Sequence, residues 1–264
     1  MTGFTVLSYG GGVQSTALLV LAGQGRIDID AALFANVGDD SEHPDTLAYV
    51  RDIATPWAAA HGIPVHEIRR PGPTLAGDLT GPGRSIRIPV RMANGAPGNR
   101  SCSQMWKTSV ADQWLRTHGA TASQQATVLI GFSADETHRI GRRRWPAHAN
   151  PTYPLVDAGL TRQGCRDLIA HAGLPVPPKS SCYFCPYKTR PEWETMARDR
   201  PDLFAQAEAV EAAVIARRAE LGKDPAYLTR YGRPLAQAIT EAQATLPGLE
   251  GIGEQGCDEG VCFV

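Results

Sequence analysis

The sequence predicts a doubly wound α/β fold followed by a helical region. Short apolar runs alternate with helical patterns up to about residue 150, and the strand patterns stop after Pro151. A chain of 264 residues can also bury a core without disulfide bonds. We therefore predict an α/β domain at 1–150 and a helical region at 151–264 that carries a C-x-x-C motif and a cysteine-containing tail.

The predicted elements follow in order. Four short apolar runs bounded by turn signals are typical of buried parallel strands, at 4–8, 31–36, 64–68 and 126–132. Helical patterns lie between them at 14–23, at 44–61 with a kink expected at Pro56, and at 108–118. The later patterns predict helices at 161–173, 191–199, 201–222 and 233–244.

Composition limits the compartment and the class of partner. The chain has 26 Lys and Arg against 27 Asp and Glu, so bulk positive charge does not attract it to nucleic acid. The sequence shows no secretory signal and no apolar run of bilayer length. We expect a cytoplasmic protein without a membrane partner, in which the six cysteines stay reduced and clustered cysteines serve metal or redox chemistry.

The basic residues are distributed unevenly along the chain. No acidic residue occurs between Asp78 and Asp112, in a stretch rich in glycine and proline, and a second basic run lies at 139–144. Each stretch is either a solvated loop or a local contact surface for a nucleic-acid backbone. The candidate contacts are Arg84, Arg87, Arg100, Lys107, Arg142, Arg143 and Arg144.

The stretch SYGGGVQS, residues 8–15, is the clearest candidate for a binding site. It joins the first predicted strand to the first helix, at the sheet edge where open α/β folds bind ligands. Backbone amides of glycines can converge on an anion, and the helix N-terminus adds partial positive charge. No lysine follows as in G-x-x-x-x-G-K-[ST]. We predict a phosphate ligand held by Ser8, Gly10, Gly11, Gly12, Gln14, Ser15 and Thr16.

This loop resembles the SGGxDS pyrophosphate loop of the PP-loop ATP pyrophosphatases, with Gln14 at the position of the aspartate. The segment FANVGDDSEHPDTLAYV is similar to that family's FADTGxExPxT segment. Asn36 replaces its aspartate, and Gly38 and Asp39 are retained. The resemblance adds Asn36 and Gly38 to the nucleotide-binding residues.

Further segments extend the resemblance to about residue 195. IGFSADE, which contains Gly131, matches the fourth-strand segment, and RSCSQMWKTSV looks like the cysteine segment of sulfonucleotide reductases. Residues 153–188 resemble the C-terminal segment of the PAPS-reductase-like branch. The resemblance implies a Rossmann-like sheet, ATP or an adenylyl sulfate as ligand, and sulfur as the element transferred.

The resemblance implies three alternative functions. The favoured one is an ATP pyrophosphatase in which Ser15, Asp39 and Mg²⁺ act while an acceptor is adenylated for sulfur transfer. The acceptor is a DNA phosphate, as in DNA phosphorothioation systems, or a tRNA base, and a cysteine desulfurase and other components of a modification complex are the expected partners. The second is an APS or PAPS reductase, and the third a non-enzymatic metal module. The oligomeric state is open, with a homodimer among the alternatives.

The cysteines give two candidate sites. Cys102 and the Cys182-x-x-Cys185 pair resemble the ligands of a [4Fe-4S] cluster with one open iron or a fourth ligand from elsewhere, and zinc is the alternative metal. Cys165 lies on the apolar face of a predicted helix, so we expect it in the core. Cys257 and Cys262 lie in a glycine-rich tail and are candidate nucleophiles for sulfur transfer.

Overall fold

A computed structural model describes residues 3–141 and 144–240. These residues form two compact units, one of residues 3–70 and 105–180, the other of residues 71–104 and 181–240. This grouping differs from the predicted division at residue 150, because the glycine- and proline-rich stretch 71–104 packs with the residues after 180.

The helices and strands of the described residues are numbered here in chain order. They are β1 (Thr5–Ser8), α1 (Val13–Gly23), β2 (Ala31–Asn36), α2 (Pro44–Ala48), α3 (Thr55–Ala60), β3 (Val65–Arg69), α4 (Leu75–Thr80), β4 (Arg91–Met92), α5 (Ser109–Thr117), β5 (Ala126–Leu129), β6 (Ala149–Thr152), α6 (Pro154–Asp157), α7 (Arg162–His171), α8 (Arg190–Asp199), α9 (Pro201–Glu220), β7 (Ala226–Tyr227) and α10 (Leu235–Thr240). Turns of π-helix at Tyr49–Ala54 and Ser103–Thr108 precede α3 and α5, and a 3₁₀ segment at Ala134–Arg139 follows β5. Among the described residues, no helix has both the length and the apolar character needed to cross a bilayer.

The first unit contains a five-stranded parallel sheet in the order β3-β2-β1-β5-β6. The central strand β1 pairs through Leu7 with Ala32 of β2 on one side and with Leu129 of β5 on the other. This is a doubly wound, Rossmann-like α/β sheet, which confirms the predicted fold class. The chain reverses its direction of winding between β1 and β5, so the carboxyl ends of these strands form the topological switch point.

Helices cover both faces of this sheet. Leu7 and Phe34 point into a core shared with α1 and α7, while Val6 and Leu33 point into a second core beside α5. Successive residues of a strand face opposite sides, so buried strands of this kind are apolar throughout. Cys165 on α7 is fully buried in the first core, which confirms its expected place.

A continuous helical path runs from α2 to α3 through the π-helical turn Tyr49–Ala54. Pro56 lies at the start of α3, directly after this turn. Because proline has no amide hydrogen, the widened turn ends where a regular helical hydrogen bond would be lost. The kink expected at Pro56 therefore takes the form of a π-helical turn before it.

The second unit is built around the long helix α9, which packs against α4, α8, α10 and β7. Two buried side chains of α9 bind the backbone of surrounding segments. Glu211 accepts hydrogen bonds from the amides of Leu228 and Leu235, and Arg217 donates to the carbonyl groups of Asp78, Leu79, Gly81 and Ser85. Asp78 and Leu79 lie in the last turn of α4, whose carbonyl groups have no donor partner within the helix, so Arg217 satisfies the end of this helix.

Candidate functional site

The loop between β1 and α1 has a backbone that only glycine adopts easily. Gly11 has a φ of +71°, and a Cβ there would lie 2.8 Å from Val50 Cγ2. The side chain of Ser15 fixes the loop from the helix side: Ser15 Oγ accepts the amide of Gly10 at 3.2 Å and donates to the carbonyl of Gly12 at 3.1 Å. The loop is therefore held in one shape close to packed side chains.

The N-terminus of α1 points its partial positive charge at this loop. Gly12 is the N-cap residue, no side chain of the described residues caps the helix there, and the first turn carries no acidic residue. The first amide groups of a helix have no intrahelical acceptor, and the helix dipole favours an anion beside them. This arrangement fits a phosphate group of a ligand, as predicted from the three glycines.

The loop after β5 comes very close to the start of α1. A Cβ at Gly131 would lie 2.9 Å from the backbone nitrogen of Ser15 and 3.1 Å from the carbonyl carbon of Gln14. Only a residue without a side chain fits there, which explains the glycine at the switch point. The predicted binding residues Gly10, Gly11, Gly12, Gln14, Ser15 and Gly131 thus lie together at one sheet edge.

Gln14 connects the two loops of this edge. Its Nε2 donates to Glu136 Oε2 at 2.9 Å. Glu136 in turn caps the 3₁₀ segment through Ser133 and forms a buried ion pair with Arg139 at 2.5 Å. Glu136 and Ser133 were not selected from the sequence, although both lie in the IGFSADE segment that matched the family. Gln14 therefore positions the loop after β5 in addition to its predicted contact with the nucleotide.

Two other predicted residues contribute differently from the glycines. Thr16 is fully buried, its amide donates to the Gly12 carbonyl at 2.9 Å, and its hydroxyl lies 3.3 Å from the buried Tyr9 hydroxyl. Thr16 therefore packs against Tyr9 in the core, and its predicted contact with the nucleotide stays a prediction. Ser8 borders a small cavity of about 30 Å³ inside the first unit.

A cluster of charged side chains follows β2 and is called here the acid–arginine cluster. Its members are Asn36, Asp39, Arg51, Glu67 and Arg69. Asn36 Nδ2 donates to Asp39 at 2.7 Å and to Glu67 at 2.8 Å, and Asn36 Oδ1 accepts the amide of Gly38 at 2.7 Å. Asn36 thus organises the turn after β2.

Both carboxylates of the acid–arginine cluster are held ionised. Arg51 lies 2.7 Å and Arg69 2.6 Å from Asp39, and the hydrogen bond from Arg51 lowers the pKa of Asp39. Burial raises the pKa of Glu67, but hydrogen bonds from Arg51, Arg69 and Asn36 outweigh burial and lower it to about 2. A magnesium ion at Asp39 would have to displace two guanidinium groups, and the assignment of Asp39 to Mg²⁺ stays a prediction.

Ser180 is a loop contact that the sequence did not single out. Its Oγ donates to the carbonyl of Gly10 at 2.5 Å, and its Cβ lies 3.6 Å from the place that a Cβ on Gly12 would occupy. Ser180 lies in the KSSC stretch, in which only Cys182 was predicted from the sequence to have a function. The glycine loop is therefore supported from α1 by Ser15 and from the end of the first unit by Ser180.

Lys107 is not a surface contact for nucleic acid. Its Nζ lies 3.0 Å from Glu42 Oε1, and both side chains are buried, with exposed fractions of 4% and 0%. A buried carboxylate needs a paired cation. The predicted role of Lys107 is corrected, because its charge neutralises Glu42 inside the first unit.

The remaining basic candidates lie in different surroundings. Arg84 and Arg144 are exposed, Arg87 lies 3.7 Å from Asp78, and the guanidinium of Arg100 stacks 5.5 Å from the Tyr187 ring centre. Arg142, Arg143, Cys257 and Cys262 lie outside the described residues. The predicted nucleic-acid contacts therefore do not form one continuous set of exposed side chains in the part of the chain that is described.

Cys102, Cys182 and Cys185 all belong to the second unit. Cys182 is buried, Cys185 donates its amide to the Cys182 carbonyl at 3.2 Å, and the Cys102 amide donates to the Arg87 carbonyl at 2.8 Å. Across the described residues, however, no three His, Cys, Asp or Glu side chains are grouped so that they could hold a metal ion. As placed, the three thiols do not fit a cluster, and metal ligation by them stays a prediction.

Comparison with known proteins gives distant structural likeness only. No protein-family model and no curated protein matches this sequence. Among solved structures, the chain is similar to the U34-tRNA thiolase NcsA from Methanococcus maripaludis with its [4Fe-4S] cluster. The identity is 13% and the TM-score 0.44, over 81% of this chain and 72% of that chain. A likeness at this level assigns no function, so the proposal below rests on the residues of this chain.

Proposed function

We propose that this protein is a cytoplasmic ATP pyrophosphatase that adenylates an acceptor for sulfur transfer, with a DNA backbone phosphate as the acceptor. One observation carries the proposal. A rigid glycine loop lies against the uncapped N-terminus of α1, at the switch point between β1 and β5. Such an edge holds phosphate groups through backbone amides.

The loop suits cleavage between the α and β phosphates. The loop has no lysine that could contact the γ-phosphate. Backbone amides, the α1 dipole and Mg²⁺ would therefore neutralise the charge of a pyrophosphate. In the proposed step an acceptor oxygen attacks the α-phosphorus of ATP, the bond to the bridging oxygen breaks, and pyrophosphate leaves with the electron pair. Ser15 keeps the loop in shape for this step through its two backbone contacts.

Sulfur then displaces AMP from the activated acceptor. The proposed sulfur source is a cysteine desulfurase, which leaves a persulfide on Cys257 or Cys262. The outer sulfur of this persulfide attacks the activated acceptor and AMP leaves with the electron pair; the thiolate of the other cysteine then breaks the S–S bond, and an external thiol reduces the Cys257–Cys262 disulfide that results. DNA is preferred to tRNA because the motifs resemble the sulfur-inserting component of DNA phosphorothioation systems. No step is routed through a metal cluster, because the described cysteines are not grouped for one.

Product analysis with α-labelled ATP tests this function. We expect AMP and pyrophosphate, with a rate that rises when DNA is added. Gly11→Val should abolish turnover, and Gly25→Ala, at a glycine with similar φ outside the loop, should retain it. ADP and phosphate as products would exclude a pyrophosphatase. Sulfite release from APS or PAPS would identify a sulfonucleotide reductase, and stimulation by tRNA alone would replace DNA as the acceptor.

A further inference from the structure

A cavity of about 350 Å³ lies entirely within the second unit. Its walls come from β4, from the chain directly after Cys185, from the start of α8 and from the chain after β7. The cavity is of the size that small organic ligands occupy in proteins. None of the functions predicted from the sequence made use of these segments.

The charged residues that line the cavity are all basic. They are Arg91, Lys188, Arg190 and Arg230. Arg190 pairs with Glu194, which lies outside the cavity at 2.8 Å, and no acidic side chain belongs to the cavity wall within the described chain. An excess of positive charge around a concave site favours an anionic ligand.

Three residues of the wall carry buried polar atoms that lack a hydrogen-bond partner among the described residues. These atoms are Arg91 Nε, Trp193 Nε1 and Thr229 Oγ1. Trp193 and Thr229 have exposed fractions of only 1% and 5%. These atoms have almost no exposed surface, so they lie behind the cavity surface and are not contacts for a ligand.

Two aromatic rings line the cavity and are only partly buried. These are Tyr187 and Tyr231, while the ring of Trp193 is covered, with Lys188 Nζ 5.9 Å from its centre. A flat ligand can therefore stack on the tyrosines but not on the tryptophan. Basic side chains next to partly exposed aromatic rings are typical of sites for single-stranded nucleic acid.

Buried contacts hold the cavity wall in place. Glu211 accepts the amides of Leu228 and Leu235, which bracket Thr229, Arg230 and Tyr231. On the opposite side, the capping box of Thr189 with Glu192 fixes the start of α8. A wall that is fixed before binding loses little conformational entropy when a ligand enters.

We propose that this cavity binds one unstacked nucleotide of a single-stranded nucleic acid. The base stacks on Tyr231 or Tyr187, and the phosphate meets Arg91 and Arg230. This proposal rests on the proposed function, in which nucleic acid is the acceptor, but binding of nucleic acid to the cavity is measured without ATP. It places nucleic-acid recognition in the second unit and not at residues 142–144.

Binding of a fluorescent ten-nucleotide single-stranded DNA to the full chain, followed by anisotropy, tests this inference. Tyr231→Ala should weaken binding about tenfold, because a base loses its stacking partner, whereas Tyr231→Phe should retain it. Arg230→Ala should weaken binding and lower the slope of log affinity against log salt by about 0.7, the value for one single-strand phosphate contact. The matched control is Arg198→Ala, which removes an exposed charge of α8 outside the cavity wall and should change nothing.

The outcomes separate this inference from the proposed function. If Tyr231→Ala and Arg198→Ala bind the oligonucleotide equally well, the cavity does not hold a nucleotide. If free AMP competes at the same concentration as the oligonucleotide, the ligand is a free nucleotide, and the proposal that the cavity binds a nucleic-acid strand is refuted. If a phosphotyrosine peptide competes, the proposal that the ligand is a nucleic acid is refuted. ATP hydrolysis without DNA should be the same in Arg198→Ala as in the unchanged protein. Absence of this hydrolysis from the unchanged protein would refute the pyrophosphatase alone, because oligonucleotide binding is measured without ATP.

Discussion

Replacing Gly11 with alanine tests whether the glycine loop needs its backbone shape. Gly11 has a φ of +71°, in the left-handed region that costs an L side chain about 1–2 kcal/mol. The added Cβ would also lie 2.8 Å from Val50 Cγ2, and Val50 is buried with an exposed fraction of 2%. Crowding of a packed core costs a further 1–3 kcal/mol, roughly. We expect Gly11→Ala to lower the free energy of unfolding by about 2–5 kcal/mol and to abolish ATP binding.

Two other variants separate the backbone cost from the crowding. Gly25 has a φ of +67°, and a Cβ there would have nothing within 4 Å, so Gly25→Ala measures the backbone cost alone. Val50→Ala removes the contact partner of the new Cβ. The losses in free energy of unfolding measured for Gly11→Ala and for Val50→Ala should therefore sum to more than the loss measured for the double variant.

Urea unfolding and calorimetric titration with ATP measure the two effects on the same samples. If Gly11→Ala destabilises no more than Gly25→Ala, the close contact with Val50 is not a constraint. If Gly11→Ala also binds ATP as the unchanged protein does, the loop does not hold the phosphates. Either result would refute the reasoning that places the nucleotide on this loop.

Three further predictions concern charged groups and thiols. The pKa of Glu67 is lowered from 4.5 to about 2, so the stabilising contribution of its carboxylate is complete above pH 4.5 and is lost as the pH falls toward 2. In urea unfolding measured at several pH values, Glu67→Gln should therefore remove this part of the loss of stability in acid. Lys107→Met should destabilise the protein by about 3–5 kcal/mol, because it leaves the Glu42 carboxylate buried without its cation, and Glu42→Gln in the same chain should recover part of the loss in thermal unfolding. The iron–sulfur ligation predicted from the sequence requires three thiols that are not grouped among the described residues, and purification without oxygen tests it: a cluster would make the protein brown, with iron that Cys182→Ser removes and Cys165→Ala does not, whereas a colourless protein would exclude it.

The sequence predicted the central sheet well because its strands are apolar on both faces. The strand β2 is buried at every residue, and its predicted bounds agree with the structure. The edge strand β6 was missed, because it is short, polar and contains Pro151. Proline is tolerated there since an edge strand pairs on one side only. The other edge strand, β3, was predicted at 64–68, so the pattern failed at β6 because of its composition and not because of its place at an edge.

The site was predicted only as far as its local motifs. The three glycines were selected because consecutive glycines leave a sequence signal, and Gly131 was selected through the family resemblance of its segment; the structure places them at one sheet edge, and their contact with a nucleotide stays a prediction. Glu136 and Ser180, which hold the loops through contacts distant in sequence, carry no local pattern. The grouping of 71–104 with the residues after 180 was missed for the same reason, since it depends on contacts such as those of Arg217.

Clusters of arginine in a sequence are a weak guide to where charge is exposed. Arg139, the first residue of the basic run 139–144, is buried against Glu136, and Lys107 is buried against Glu42. The cations around the cavity of the second unit, such as Arg91 and Arg230, are instead scattered along the chain. A site of this kind touches few phosphates, and each contact to a single strand adds about 0.7 to the salt slope, so a slope of one to two, roughly, is expected. A groove that follows the backbone with many arginines would give a much steeper slope. The salt dependence of oligonucleotide binding therefore distinguishes recognition of one nucleotide from binding along a charged surface.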